Sequence, residues 1–243
     1  MHPLYNIYFT MRRRVTTSED GSNTLTLEDY NESYHSVHGA LSESLHIFIR
    51  EGLKYYISKY PERSDIAVLE AGLGTGLNCL LTAIELDNHL QMNSINYIAV
   101  EKFPVTVDEA ELLDYPSLFP GNKESVSICK NIHSSPWNEI TTLCEKMILE
   151  KVENSFEDAF PKIAGKSIDI IYYDAFSPET QPELWRDEIF KELFRALKPG
   201  GILVTYSSKG IVKRALRESG FEVKRLHGPK GKKHIIRAEK PLS

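Results

Sequence analysis

The chain has 243 residues, 41% of them hydrophobic and 26% charged, with a net charge of −5 and three cysteines. That length can bury a full core as one main domain, and no apolar run approaches the ~20 residues of a membrane span. Cys79, Cys129 and Cys144 are odd in number and lack metal-ligand spacing, and Met1-His2-Pro3 leads into no apolar signal core. These features point away from membrane, disulfide-framed and metal-stapled classes and toward a cytoplasmic protein. Charge is uneven: Thr205–Ser243 holds eleven Lys or Arg against three Glu, so the remainder is strongly acidic. A basic end of this kind suits nucleic-acid phosphates or another acidic surface, and it is equally compatible with a solvated charged face.

In chain order, Val15-Thr16-Thr17 and Thr24-Leu25-Thr26-Leu27 flank an Asp20-Gly21 turn, which predicts a hairpin. Leu41, Leu45, Phe48, Ile49, Leu53 and Tyr56 recur at helical spacing over Ala40–Tyr60, so a helix precedes the core. We take residues 1–60 as an N-terminal extension of hairpin and helix, and 61–243 as the main domain.

Val68-Leu69-Glu70-Ala71 then reads as a buried strand that feeds Gly72, Gly74 and Gly76 and the start of a helix at Leu77. Such a turn lets backbone N–H groups and a helix N-terminus approach a ligand closely. A dinucleotide fingerprint would place its third glycine where Leu77 stands, whereas Glu70, Gly72, Gly74 and Gly76 follow acid-x-Gly-x-Gly-x-Gly. That is the pattern of class I methyltransferases, which bind S-adenosylmethionine. A dehydrogenase site, or a tight turn without ligand, is the competing reading.

Beyond the loop, strand and helix alternate. Ile95–Val100 forms a second strand, a helix lies near 104–114, and Lys146–Val152 forms a third strand. Ile168–Tyr173 forms a fourth. A helix from about Leu184 to Leu197 is expected to stop at Lys198-Pro199-Gly200-Gly201 before Ile202–Tyr206. A helix over 209–219 ends at Gly220, and short strands follow near 221–226 and 233–238. The alternation predicts an α/β, Rossmann-like, mostly parallel seven-stranded sheet with helices on both faces and the last strand inserted antiparallel.

Ligands of such sheets sit at the carboxyl ends of the strands. Glu70, with Gly72, Leu73, Gly74, Thr75 and Gly76, is expected to hold the amino-acid end of the cofactor, Glu101 its ribose hydroxyls, and Asn154 its adenine edge. Asp174 closes strand four beside the position of the sulfonium methyl. An alkylamine acceptor arrives mostly as ammonium, with a pKa of about 10, so a carboxylate there can hold it and take its proton. Phe176, Trp185 and Tyr206 suggest an aromatic wall for a planar base.

The segment Asp174-Ala175-Phe176-Ser177-Pro178, followed by Pro182-Glu183-Leu184-Trp185, resembles a signature of the methyltransferase domain of the MnmC family, which modifies the tRNA wobble uridine. Leu69–Asn78 is similar to that family's cofactor loop, and Glu101-Lys102-Phe103-Pro104 to its ribose-binding segment. Tyr34-His35-Ser36-Val37-His38-Gly39-Ala40, with Glu43-Ser44, resembles the N-terminus of single-domain members. The likeness covers roughly residues 12–239. It departs in the tail, where Gly228-Pro229-Lys230-Gly231-Lys232-Lys233-His234-Ile235 stands for Gly-x-x-Gly-Lys-Arg-Glu-Met, and no Gly-Asp precedes Asn154.

The resemblance implies S-adenosylmethionine-dependent methylation of the amine of 5-aminomethyl(-2-thio)uridine in the tRNA anticodon loop. No FAD, metal or membrane is expected, the chain is expected to perform methylation alone, and the precursor is handed on by the enzymes that make it. Asp174 is the expected catalytic residue. Phe176 and Tyr206 are expected at the base, and Lys213, Arg214, Lys230, Lys232 and Lys233 on phosphates. The rivals are a methyl or aminopropyl transferase acting on a small free amine, and a non-catalytic nucleotide- or tRNA-binding module.

Overall fold

In the computed structural model, the described residues are 12–29, 32–86, 88–89, 91–163, 165 and 167–242, so residues 1–11 lie outside the description. The Asp20-Gly21 turn closes the expected hairpin, β1 (Arg13–Thr17) against β2 (Asn23–Leu27), with Thr16 opposite Thr24. A two-residue β3 (Glu32–Ser33), too short to leave a sequence signal, pairs with β2 and completes a small three-stranded sheet. The helix expected over 40–60 is present as α1 (Ala40–Ser44), a π-helical stretch Leu45–Lys54 and α2 (Tyr55–Lys59).

The β-branched and aromatic runs become the inner strands β4 (Asp65–Ala71), β5 (Ser94–Glu101), β7 (Met147–Glu153), β8 (Ile168–Tyr173) and β9 (Leu197–Thr205), all mutually parallel. Between them run α3 (Leu77–Leu86), α4 (Val107–Leu113), α5 (Ser125–Ser134) and α6 (Phe156–Ile163), then α7 (Asp187–Ala196) and α8 (Gly210–Glu218). The sheet order is β10-β11-β9-β8-β4-β5-β7-β6, with β11 (His234–Glu239) inserted antiparallel between β9 and β10 (Glu222–His227). The expected insertion of the last strand is therefore observed.

Two boundaries differ from expectation. The sheet has eight strands rather than seven, because β6 (Ile140–Cys144) folds back antiparallel on β7 at the outer edge. The helix expected from Leu184 to Leu197 is split into a 3₁₀ turn, Pro182–Trp185, and α7; it ends at Ala196, and Lys198–Gly201 already belongs to β9. Leu197 pairs with Ile168 there, and a register shift before Ile202 absorbs the proline and glycines as a bulge, with Gly200 at φ 78°.

Side-chain alternation divides the core. Leu25, Phe48, Tyr56, Val68, Leu80, Tyr97 and Tyr172 pack on the face covered by the 40–59 helix, α3 and α5, whereas Leu69, Ile98, Ile171, Tyr173, Phe190 and Leu216 pack on the face covered by α6, α7 and α8. The N-terminal hairpin and helix thus share a core with the main sheet. Among the described residues no helix is long and apolar enough to cross a membrane.

Candidate active site

Strand register builds the floor. Ala71 sits level with Val100 and Tyr173, and Glu101 with Glu153, so Gly72, Glu101 and Asp174 leave their strands level, with Asn154 one residue past Glu153, along a cavity of about 1050 Å³. Gly72 (φ 92°) runs so close to Asp174 that a Cβ would stand 3.0 Å from its carbonyl oxygen. Gly74 (φ 51°) is covered by Tyr34, whose ring carbon would be 3.0 Å from a Cβ. Leu73, Thr75 and Leu77 complete this wall. Both oxygens of Glu101 are oriented by backbone N–H groups, Gly74 at 2.9 Å and Phe103 at 2.8 Å, and each keeps a lone pair for a diol. Asn154 donates its N–H to the Glu101 carbonyl (3.0 Å) and lines the cavity next to Glu153 and Ser155.

Glu70 corrects the expectation of direct ligand contact. Strand periodicity turns both Glu70 and Asp174 toward α3, but Glu70 is level with Tyr172, one layer below the rim. It is fully buried and accepts from Asn78 Nδ2 (2.9 Å) and the Tyr97 hydroxyl (2.8 Å). Burial pushes its carboxyl up to about 8, against the opposing hydrogen bonds from Asn78 and Tyr97. The same Asn78 amide donates to Asp174 Oδ2 (2.9 Å), tying the two carboxyls together, and its buried Oδ1 has no protein donor. Burial, and then the charges of Glu70 and Glu43, hold the Asp174 carboxyl well above the ordinary range. The sequence reading missed Asn78, although its position two residues past Gly76 in the first turn of α3 was visible.

The roof comes from the N-terminal segments. Arg13 donates to the carbonyls of Phe103 (2.6 Å) and Pro104 (3.2 Å), pairs with Glu109, and lies over the Tyr34 ring. Tyr34 in turn meets Phe176 edge-on, with ring centroids 5.0 Å apart. Glu32 accepts from Ser177 N and from the Thr180 hydroxyl. Phe176 and Tyr206 line the cavity as expected, and Tyr206 is fixed by donating its hydroxyl to the Ala175 carbonyl (2.9 Å). Trp185 does not line it: its ring is buried in the core and its indole N–H donates to the Phe176 carbonyl. Tyr34 takes its place in the aromatic wall.

The basic residues separate into two groups. Lys209, Lys224, Lys230, Lys232 and Arg237 are paired with Glu179, Glu239, Glu19, Glu43 and Glu51, respectively. Lys213, Arg214 and Lys233 make no ion pair among the described residues and lie outside the cavity. Lys232, expected on phosphate, instead has its side chain on the cavity wall.

Residues 129–241 match the family described as S-adenosyl-L-methionine-dependent methyltransferase. The chain is similar to the bifunctional MnmC protein of tRNA 5-methylaminomethyl-2-thiouridine biosynthesis from Actinobacillus pleuropneumoniae, with 26% identity over 93% of this chain and 35% of that protein. The Ectopseudomonas mendocina homologue is 28% identical over 85% of this chain and 32% of its own length. The crystal structure of MNMC2 from Aquifex aeolicus matches with a TM-score of 0.74 at 24% identity, over 97% of this chain and 72% of that one. The chain has the fold of a class I methyltransferase and is similar to MnmC proteins over most of its length.

The chain spans about a third of the length of the curated relatives it matches. A spermidine synthase from Thermotoga maritima shares the fold at a TM-score of 0.55 and 13% identity. In this chain the glycine loop and the strand-end carboxylates Glu101 and Asp174 meet at one cavity.

Proposed function

We propose that this domain methylates a primary alkylamine from S-adenosyl-L-methionine, the amine being that of 5-aminomethyl(-2-thio)uridine at the tRNA wobble position and the product the 5-methylaminomethyl nucleoside. One observation carries the reading: the Asp174 carboxyl, restrained by Asn78, opens into the same cavity as the glycine loop and Glu101.

The residues fit the cofactor. Gly72 and Gly74 leave the backbone approachable where any Cβ would intrude, Glu101 offers two oriented oxygens to the ribose diol, and Asn154, on the same cavity wall, is assigned the adenine edge. The unpartnered Asn78 Oδ1 is an acceptor for the ammonium of the amino-acid end, with Glu70 acting from beneath through the same amide. When bound, the cofactor supplies the methyl group in electrophilic form.

The protein's own task is to present a neutral amine in line with that methyl group. An alkylammonium entering the cavity gives its proton to the Asp174 carboxylate, which then returns it to solvent. The nitrogen lone pair freed in this way forms the new N–C bond as the methyl's bond to the sulfonium sulfur breaks, leaving a neutral thioether. Burial brings the Asp174 carboxyl nearer the range in which a base works at neutral pH. Phe176 and Tyr34 flank the nucleobase, while Lys213, Arg214 and Lys233 meet tRNA phosphates around the anticodon loop by salt-sensitive attraction. The aminomethyl precursor is handed on by the enzymes that install it.

The experiment is transfer of labelled methyl from S-adenosyl-L-methionine to tRNA from cells lacking this protein, with nucleoside analysis by mass spectrometry. Label in 5-methylaminomethyl(-2-thio)uridine supports the reading. Cofactor binding without label in tRNA, but with label in a small added amine, replaces it with the small-amine transferase.

A further inference from the structure

Lys232 lies on the loop between β10 and β11, yet its ammonium is inside the cavity. Nζ stands 3.0 Å from Glu43 Oε1 and 4.9 Å from the centroid of the Tyr206 ring, and only 27% of the side chain remains exposed. Its neighbour Lys230 pairs with Glu19 on the open surface, at 73% exposure. Both partners of Lys232 are set in advance. Glu43 is buried, with Oε2 accepting from Ser36 N (2.7 Å), while Oε1 receives no hydrogen bond and is met by Lys232 alone. The Tyr206 ring is anchored through its hydroxyl and backed edge-on by Trp185. The loop seats against His38, where a Cβ on Gly231 would stand 2.1 Å from the imidazole.

A buried carboxylate and the face of a fixed aromatic ring are what a protonated amine requires. We propose that Glu43 and Tyr206, beside Asp174, form an alkylammonium subsite, and that Lys232 occupies it in the acceptor-free protein as a tethered stand-in for the acceptor amine. The proposal rests on reading the cavity as one that takes an alkylamine. A cation attached to the chain competes at high effective concentration, so small free amines are excluded from the subsite. An acceptor carried on a large polyanion has other contacts to hold it while its amine displaces the lysine, whose released charge then faces the phosphates. Lys232 is thus a specificity determinant that disfavours free amines.

The test uses the full chain without cofactor and propylammonium chloride as the probe, with binding followed by NMR at low salt and pH 7. Lys232→Met, which keeps an apolar stem on Tyr206, is expected to bind the probe at least about tenfold more tightly than the unaltered protein. The gain is expected to vanish in Lys232→Met/Glu43→Gln, and Lys232→Arg is expected to behave as the parent does. Equal affinity in parent and Lys232→Met, or a gain that survives loss of Glu43, overturns the proposal. Should Lys232→Met fail to fold, the Lys232 Cε resonance of the unaltered protein supplies the answer. Displacement on saturation with propylammonium supports the subsite, and an unmoved resonance refutes it. No methyl transfer enters these measurements, so absence of tRNA methylation would overturn the proposed reaction separately.

Discussion

The floor of the cavity, where Gly72, Glu101, Asn154 and Asp174 leave adjacent parallel strands, is positioned by backbone register, whereas its roof is positioned by side chains reaching across the sequence. Glu32 meets Ser177 across 145 residues, and Lys232 reaches Glu43 from the far end of the chain. Floor residues can move only if the sheet moves. Roof residues make their contacts one side chain at a time, so each can be altered without moving the sheet.

Asp174→Asn gives the largest expected effect of changing the floor. Methyl transfer to tRNA should fall by about 10²–10⁴-fold while cofactor affinity, read by calorimetry, stays within a few-fold. Turnover within tenfold of the parent would remove Asp174 from proton handling.

The glycines separate floor from roof directly. In Gly72→Ala the new Cβ meets a backbone carbonyl at a strained φ, and cofactor affinity should fall by about 10–100-fold. Gly74→Ala shares the strain of a positive φ but its Cβ meets only the Tyr34 ring, so adding Tyr34→Ala should restore the part of its loss that comes from that contact while leaving the loss of Gly72→Ala unchanged. Equal rescue of both variants would erase the distinction.

Glu70 supplies a pH test beneath the floor. Its carboxyl keeps a proton to about pH 8 in the folded protein and would release it near 4.3 when unfolded. The folded state therefore binds more protons between those values. The contribution is fully present below the lower value, declines through the window as pH rises, and is lost above about 8. Urea midpoints of Glu70→Gln should lack this decline, and parallel pH curves for the two proteins would contradict it.

Smaller effects belong to the roof and the outer surface. Glu32→Gln weakens the hold on Ser177 and Thr180 and should cost about 1 kcal/mol in urea unfolding, with a few-fold rise in acceptor KM. Lys213→Gln and Arg214→Gln should each lower the slope of log affinity for tRNA against log salt by about 1. An unchanged slope would move the RNA path elsewhere.

Most inner strands, the glycine turn and the strand-end positions of Glu101 and Asp174 were legible because turn chemistry and period-two burial are local. The β6 edge strand and the 3₁₀ break before α7 were not. A fold-back strand of five residues looks like any short apolar run, and at the break Arg186 takes an extended backbone beside a Trp185 whose indole reaches back to the Phe176 carbonyl. Trp185 itself was misread as a cavity residue for the same reason.

By itself the sequence determined the alternation of strand and helix, the ligand-cradling turn and the carboxylates that end the strands, since each depends on neighbours a few residues away. Only the tertiary structure decided that Glu70 lies one layer too deep to touch a ligand, that Asn78 bridges it to Asp174, and that Lys232 turns inward to Glu43. Depth below a surface and the pairing of distant charges depend on how layers stack, and no local spacing encodes that.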